Sequence, residues 1–297
     1  MAEKAALINE AIDSGRTHHS LWGDAFIRLR RNKLAMAGGI IILLIGILTI
    51  IYPLFSQYDF ASQDLNSILT GPSKAHWLGT DELGRDVLTR LIYGARTSLA
   101  VGIFTQLIVL GIGLPLGAVS GAAGGKLDNI LMRFVDVVYA FPDLLLIILL
   151  RAILGGSIYM IFLAIGLVSW VGVARLVRGQ TLSLKQRDFV TAAKVFGGMG
   201  SYITTRHLIP NSLGPVIVAV TFNIPRAIFA EAALAYIGIG VKPPTPSWGA
   251  MIRDGNNVIF AAPHLVLFPA IAIAILMLSF TFLGDGLRDA LDPRLRR

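Results

Sequence analysis

The sequence predicts an all-α, polytopic membrane fold with about six transmembrane helices, and three observations predict it. Hydrophobic residues make up 55% of the 297 positions and charged residues only 15%; a soluble domain carries about 25% charged residues. The apolar residues gather in runs long enough to cross a bilayer, which takes about 20 residues. The basic residues cluster between alternate runs rather than evenly along the chain.

The chain opens with a polar tail over residues 1–33. It has mixed charge and no early apolar segment, so a cleaved signal peptide is not expected. Residues 34–55 are uncharged and form the first span, which stays as an anchor. Residues 56–96 form a long outer loop carrying "HWLGTDELGRDVLTRLIYGAR". Within it Thr80 or Asp81 is placed to cap a short amphipathic helix with Leu83, Val87, Leu91 and Ile92 on one face. A lid on the membrane boundary is the simpler reading of that helix; a binding role is the other.

A membrane core follows over residues 97–286. Its first span lies within 97–125. The next, 127–150, is apolar but carries Asp128, Arg133, Asp136 and Asp143. Residues 152–174 are uncharged, 211–235 contain Arg226 and Glu231, and the last span lies within 255–284. The loop 237–264 is dense in Pro and Gly and reads as ordered loop rather than helix, with Trp248 suited to a membrane interface. Residues 287–297 close the chain as a polar tail.

Six spans place both termini on one side, together with residues 121–133 and 174–210. That side holds 18 of the 26 lysines and arginines. The positive-inside rule makes it the cytoplasm. The net charge of +8 is thereby explained without nucleic acid.

Several chemistries are missing. There is no cysteine, hence no disulfide, thiolate metal site or cysteine nucleophile. The nearest approach to a Walker A loop runs from Gly121 to Leu127; its spacing is one short, and Leu127 has no hydroxyl for Mg²⁺. None of His18, His19, His76, His207 and His264 belongs to a helix-face ligand pair. The chain is not expected to be an enzyme, nor to bind a metal or cofactor.

Ionisable groups at membrane depth normally face a bundle interior, a water path or one another. Asp136, Arg226 and Glu231 are therefore candidates to line a translocation path. Pairing with other chains or with loop backbone is the alternative, and the sequence leaves both open. Asp143 and Arg151 are expected near an interface. An ion-coupled carrier of two inverted halves finds little support, because Pro115, Pro142, Pro215 and Pro225 form no symmetric set.

One polar insert stands out, "KQRDFVTAAKVFGGMGSYITTRHLIPN". Phe189, Ala193 and Phe196 fall on one helical face; Asp188 suits the helix start, and Gly197-Gly198 ends the helix. Ser201 is placed to cap a second short helix, and Pro210 marks the return to the membrane. Docking to a partner and resting on lipid headgroups are both open on these grounds.

The insert resembles the EAA loop of ABC importer permeases: Ala192-Ala193, Gly197 and Pro210 fall at the required spacing, and Ile209 stands for a Leu. Thr191 replaces the Glu and His207 the Ile. "HWLGTDELGRDVLTRLIYGARTSL", "YIGIGVKPPTPSWGAMIRDG", "GDGLRDALDPRLRR" and the leading "LWGDAFIRLRRNKLAMAGGIIILL" extend the resemblance over about residues 21–297. Together they are similar to permeases for oligopeptides, dipeptides and nickel, and to the second of their two paired permease subunits.

The resemblance implies a type I ABC importer transmembrane domain, five core helices preceded by one extra, in a bacterial or archaeal cytoplasmic membrane. It implies a second homologous permease chain, two ATPase subunits that hold ATP and Mg, and an extracytoplasmic solute-binding protein. It makes 178–210 the coupling loop, with Asp188, Phe189, Thr191, Ala192, Ala193, Phe196, Gly197 and Pro210 as the contact to an ATPase. Thr191 puts the usual role of the Glu in doubt, and Asp188 stands one turn earlier to take part of it. Peptides are the default solute, nickel or another small solute the alternative.

Overall fold

The computed structural model describes residues 21–155 and 157–292. Nearly all of it is helical. In chain order the helices are α1 (Leu21–Arg31), α2 (Lys33–Phe55), α3 (Val87–Ala123), α4 (Gly125–Tyr139), α5 (Asp143–Leu154) and α6 (Ile158–Leu184). Then come α7 (Asp188–Val195), α8 (Gly200–Ile203), a π-turn (Thr204–Leu208), α9 (Ile209–Tyr236), α10 (Trp248–Asn256) and α11 (His264–Leu291).

Among the described residues five helical stretches are long and apolar enough to span a bilayer: Lys33–Phe55, Val87–Ala123, Ile158–Leu184, Gly200–Tyr236 and His264–Leu291. The pair α4 and α5 passes the same test only when taken together, bent by 86°, the geometry of a broken span or a re-entrant loop. The expected span over 127–150 is broken at Pro142, as that proline suggests, and the bend is nearly a right angle. Pro142 has no N–H and the extended backbone of an N-cap, φ −61° and ψ 122°, so α5 restarts in a new direction.

The central pair is α3 and α6, which share the most extensive interface. Gly113, Gly117 and Gly121 repeat every four residues along the face of α3 that meets α6. A Cβ on Gly113 would fall 2.8 Å from the Trp170 carbonyl oxygen, and one on Gly121 would fall 2.7 Å from Thr181 Cβ. Small residues at this spacing let two backbones close up in a membrane, where dispersion must replace the hydrophobic effect. α9 packs on α3 and α11, and α2 on α11. Thus α2 is the peripheral helix: Leu43, Ile50 and Leu54 on it are exposed.

The loops gather at one end of this bundle, the loop end; residues 178–208 lie at the other, the basic end. At the loop end the structure departs from expectation in three places. There is no separate helix capped by Thr80 or Asp81. Thr80 bridges to Asp86, and Asp81 folds a turn by accepting from the Leu83 and Arg85 amides. Gly84, at φ +69°, takes the left-handed conformation that stops a helix there. The cap is Asp86, whose side chain accepts from the Thr89 amide at 2.8 Å, and α3 then runs unbroken from Val87.

Residues 248–256 of the second loop are helix, not loop. Pro243, Pro244 and Pro246 all precede Ser247, which caps α10 by accepting from the Ala250 amide, and Pro263 follows the helix. Trp248 is buried rather than interfacial: its indole N–H donates to Leu91 O at 2.8 Å. Finally, α11 continues to Leu291, beyond the expected start of the C-terminal tail at residue 287. Of the N-terminal tail, residues 21–31 are helical, Asn32 caps α2 and Lys33 begins it, and residues 1–20 lie outside the described residues.

Candidate functional site

The insert folds as helix, glycine break and helix. α7 runs from Asp188, which lies in its first turn where the helix dipole favours a carboxylate. It ends in a Schellman motif: Gly197 sits at φ +82°, its amide donates to Lys194 O, and the Gly198 amide donates to Ala193 O at 2.9 Å. α8 then begins at Gly200 with Met199 as its N-cap and no side-chain capping bond, so Ser201 does not cap it. Nor does the chain turn at Pro210. Helix continues through it, and the turn just before it widens to π geometry. Pro210 has no N–H to return to Arg206, and this relaxes the register locally.

The face that holds this segment down is not the expected one. Val190, Ile203 and Leu208 are buried and pack with Ala122, Leu184 and half-buried Ala193. Ala122 and Leu184 belong to the ends of α3 and α6, and the Lys185 ammonium adds a bond to Ala122 O at 2.6 Å. The segment is therefore seated on the central helix pair and is continuous with α9.

The predicted face of Phe189, Ala193 and Phe196 meets that seat only through Ala193; Phe189 and Phe196 turn away from it. It lines an open cleft of about 690 Å³ with Gly197, Met199 and His207. Phe196 is 90% exposed, Val195 79% and Met199 76%. Thr191 and Ala192 are also exposed, and the Thr191 amide donates to Arg187 O. Apolar side chains this exposed, outside the spans and beside a rigid seat, are the mark of a contact surface.

The three path candidates do not converge. The Asp136 carboxylate accepts from Arg175 at 2.7 Å, and the Arg175 guanidinium lies 4.1 Å from the Tyr139 ring centroid. Arg226 is exposed. Glu231 is fully buried, and the Ser247 hydroxyl beside it lies outside good hydrogen-bond geometry to either carboxylate oxygen. Arg151 is buried too, not snorkelling at an interface. It donates to the Ile239 and Gly240 carbonyls, tying α5 to the loop after α9.

One charged contact escaped the sequence reading. Arg178 on α6 donates through Nε and Nη2 to both oxygens of Asp128 on α4, at 2.6 and 2.7 Å, and Ser120 Oγ donates to the same carboxylate. The fifty residues between Asp128 and Arg178 hid it. The four-residue glycine spacing on α3, by contrast, was visible in the sequence. Among the described residues no group of three or more His, Asp or Glu is placed to hold a metal ion.

Residues 113–297 match the family described as binding-protein-dependent transport system inner membrane component. Residues 20–72 match the N-terminal TM domain of oligopeptide transport permease C. The oligopeptide transport system permease protein OppC of Bacillus subtilis (strain 168) is 43% identical, over 99% of this chain and 96% of its own. The dipeptide transport system permease protein DppC of the same organism is 45% identical over 97% and 90%. The glutathione transport system permease protein GsiD of Pectobacterium atrosepticum is 38% identical over 99% and 98%. Among solved structures, a chain of the inward-facing MetNI methionine ABC transporter superposes with a TM-score of 0.55. It is 17% identical and covers 69% of this chain and 97% of its own, a likeness of fold.

Proposed function

Because the chain belongs to the family of binding-protein-dependent transport system inner membrane components, we propose that it is a permease subunit of an ATP-driven importer of short peptides. The solute class follows the relatives, which are named for oligopeptides, dipeptides and glutathione, itself a tripeptide. No observation favours nickel over these.

The observation that carries the coupling role is the seat of α7. A partner that grips Phe196 and Met199 pushes on a rigid element, because Val190, Ile203 and Leu208 fix that element to the ends of α3 and α6. The continuous helix through the π-turn carries the same displacement into α9. Closure of an ATPase dimer is thereby converted into tilting of the helices around a pore, a rigid-body switch biased by nucleotide. ATP and Mg reside on the ATPase subunits, and a second permease chain completes the pore. The solute-binding protein docks at the loop end, and both termini are cytoplasmic, on the side with most basic residues.

The test is reconstitution of this chain with its second permease, ATPases and binding protein in proteoliposomes. ATP-dependent uptake of a labelled di- or oligopeptide, absent when the binding protein is omitted, is the expected result. Uptake that is driven by a proton gradient without ATP refutes the proposal.

A further inference from the structure

The short helix α1 has a face that the importer reading does not use. Its inner side is fixed: Ala25 is buried, and Leu29 lies against Gly286 of α11, with Leu29 Cδ1 3.1 Å from where a Cβ on that glycine would be. Its outer side carries Phe26 and Ile27, both exposed, and one turn later Arg30 and Arg31, also exposed. These four residues form one stripe, because positions i and i+4 share a helical face. The stripe is apolar at its start and cationic at its end.

The chain then breaks at Asn32, which caps α2 by accepting from the Ala35 amide, and the bilayer span begins with exposed Lys33 and Leu34. Among the described residues, Arg28, Arg30, Arg31 and Lys33 make no ion pair and no side-chain hydrogen bond. Four unpaired cations within six residues therefore stand at the mouth of a transmembrane helix, beside two exposed apolar side chains.

We propose that α1 is an interfacial helix that binds anionic phospholipid. Phe26 and Ile27 enter the boundary between headgroups and acyl chains, and the guanidinium groups of Arg30 and Arg31, with the Lys33 ammonium, take the lipid phosphates. Three features select lipid over a protein partner. The stripe runs directly into the lipid-facing span, so the same surface that meets acyl chains at Leu34 meets headgroups one turn earlier. Its charge is complementary to an anionic leaflet, which attracts basic residues held close to its surface. The opposite face is already packed on α11, which holds the stripe outward. Apolar burial and electrostatic attraction act together in such helices.

The chain has no cysteine, so Phe26→Cys provides a unique site for an environment-sensitive fluorophore. The labelled full chain is reconstituted in phosphatidylcholine vesicles containing a minor fraction of brominated phosphatidylglycerol or, separately, brominated phosphatidylcholine. Quenching several-fold stronger with the brominated phosphatidylglycerol is expected, weakening as salt is raised. The ratio of the two should fall to about one in a variant that combines Arg30→Gln, Arg31→Gln and Lys33→Gln. That variant keeps the α1–α11 contact, and unchanged elution and melting show that it is folded. Equal quenching by the two lipids, or a preference that survives the triple substitution, overturns the proposal. So does a label that lipid never quenches but the addition of ATPase subunits shields. A wrong solute assignment leaves all these readings unaffected.

Discussion

Arg178 clasps Asp128 through two hydrogen bonds, at 2.6 and 2.7 Å, and by this contact the first half of the broken span is held to the central helix pair. Asp128 is nearly buried, while the Arg178 side chain keeps about a third of its exposure (34%), so the guanidinium stays partly solvated. The bidentate geometry makes this stronger than an ordinary surface pair.

Asp128→Asn should lower stability by about 1–3 kcal/mol, read as thermal unfolding of the purified chain. Arg178→Gln should cost a similar amount, and the two together little more than either. Additive losses would show that the two side chains are not energetically coupled.

Gly117→Leu should break the α3–α6 contact. A Cβ there meets the Ala174 carbonyl oxygen and lies 2.8 Å from Val177 Cβ, so nothing larger than hydrogen fits. A loss of about 2 kcal/mol or more is expected from overpacking alone. Gly111→Leu is the control, since a Cβ at Gly111 meets nothing within 4 Å. Equal melting of the two variants would contradict the packing described.

Val190→Asp and Phe196→Asp separate the seat of α7 from its contact surface. Burying a charge at Val190, which has no exposure, should detach α7 and expose residues 186–200 to protease. Phe196→Asp alters a side chain that is 90% exposed, so melting should be unchanged. In the reconstituted complex it should abolish peptide-stimulated ATP hydrolysis. Full stimulation in Phe196→Asp would remove this residue from the ATPase contact.

Glu231→Gln should leave melting unchanged or raise it. The carboxylate is buried with only the Ser247 hydroxyl beside it, and the amide keeps its shape without its charge. Glu231→Lys places a longer cation in the same site and should prevent stable insertion or folding. If Gln were as damaging as Lys, Glu231 would have to carry a charged interaction that its surroundings do not reveal.

The elements that local chemistry controls were legible in sequence. The apolar runs located the five spans and the apolar pair α4 and α5, because length and hydropathy decide what crosses a bilayer. Gly197-Gly198 read correctly as a helix stop, because a left-handed C-cap depends on one residue's backbone freedom. The residues of α7 were found by spacing as well. Which face of α7 anchors was not, because Phe189 and Val190 are equally apolar and only the neighbouring ends of α3 and α6 select Val190.

By itself, then, the sequence determined an all-helical membrane chain, its polar insert and the family it resembles, since these depend on composition and on spacing within about one turn. The tertiary structure alone decided how far the span bends at Pro142, the helix beginning at Trp248, and the Asp128–Arg178 clasp. It alone separated Asp136, Arg226 and Glu231 into a surface pair, an exposed cation and a buried acid. The reason is physical: a side chain's cost and partner in a bundle depend on which helices surround it, and these are brought together by packing over separations of fifty residues or more.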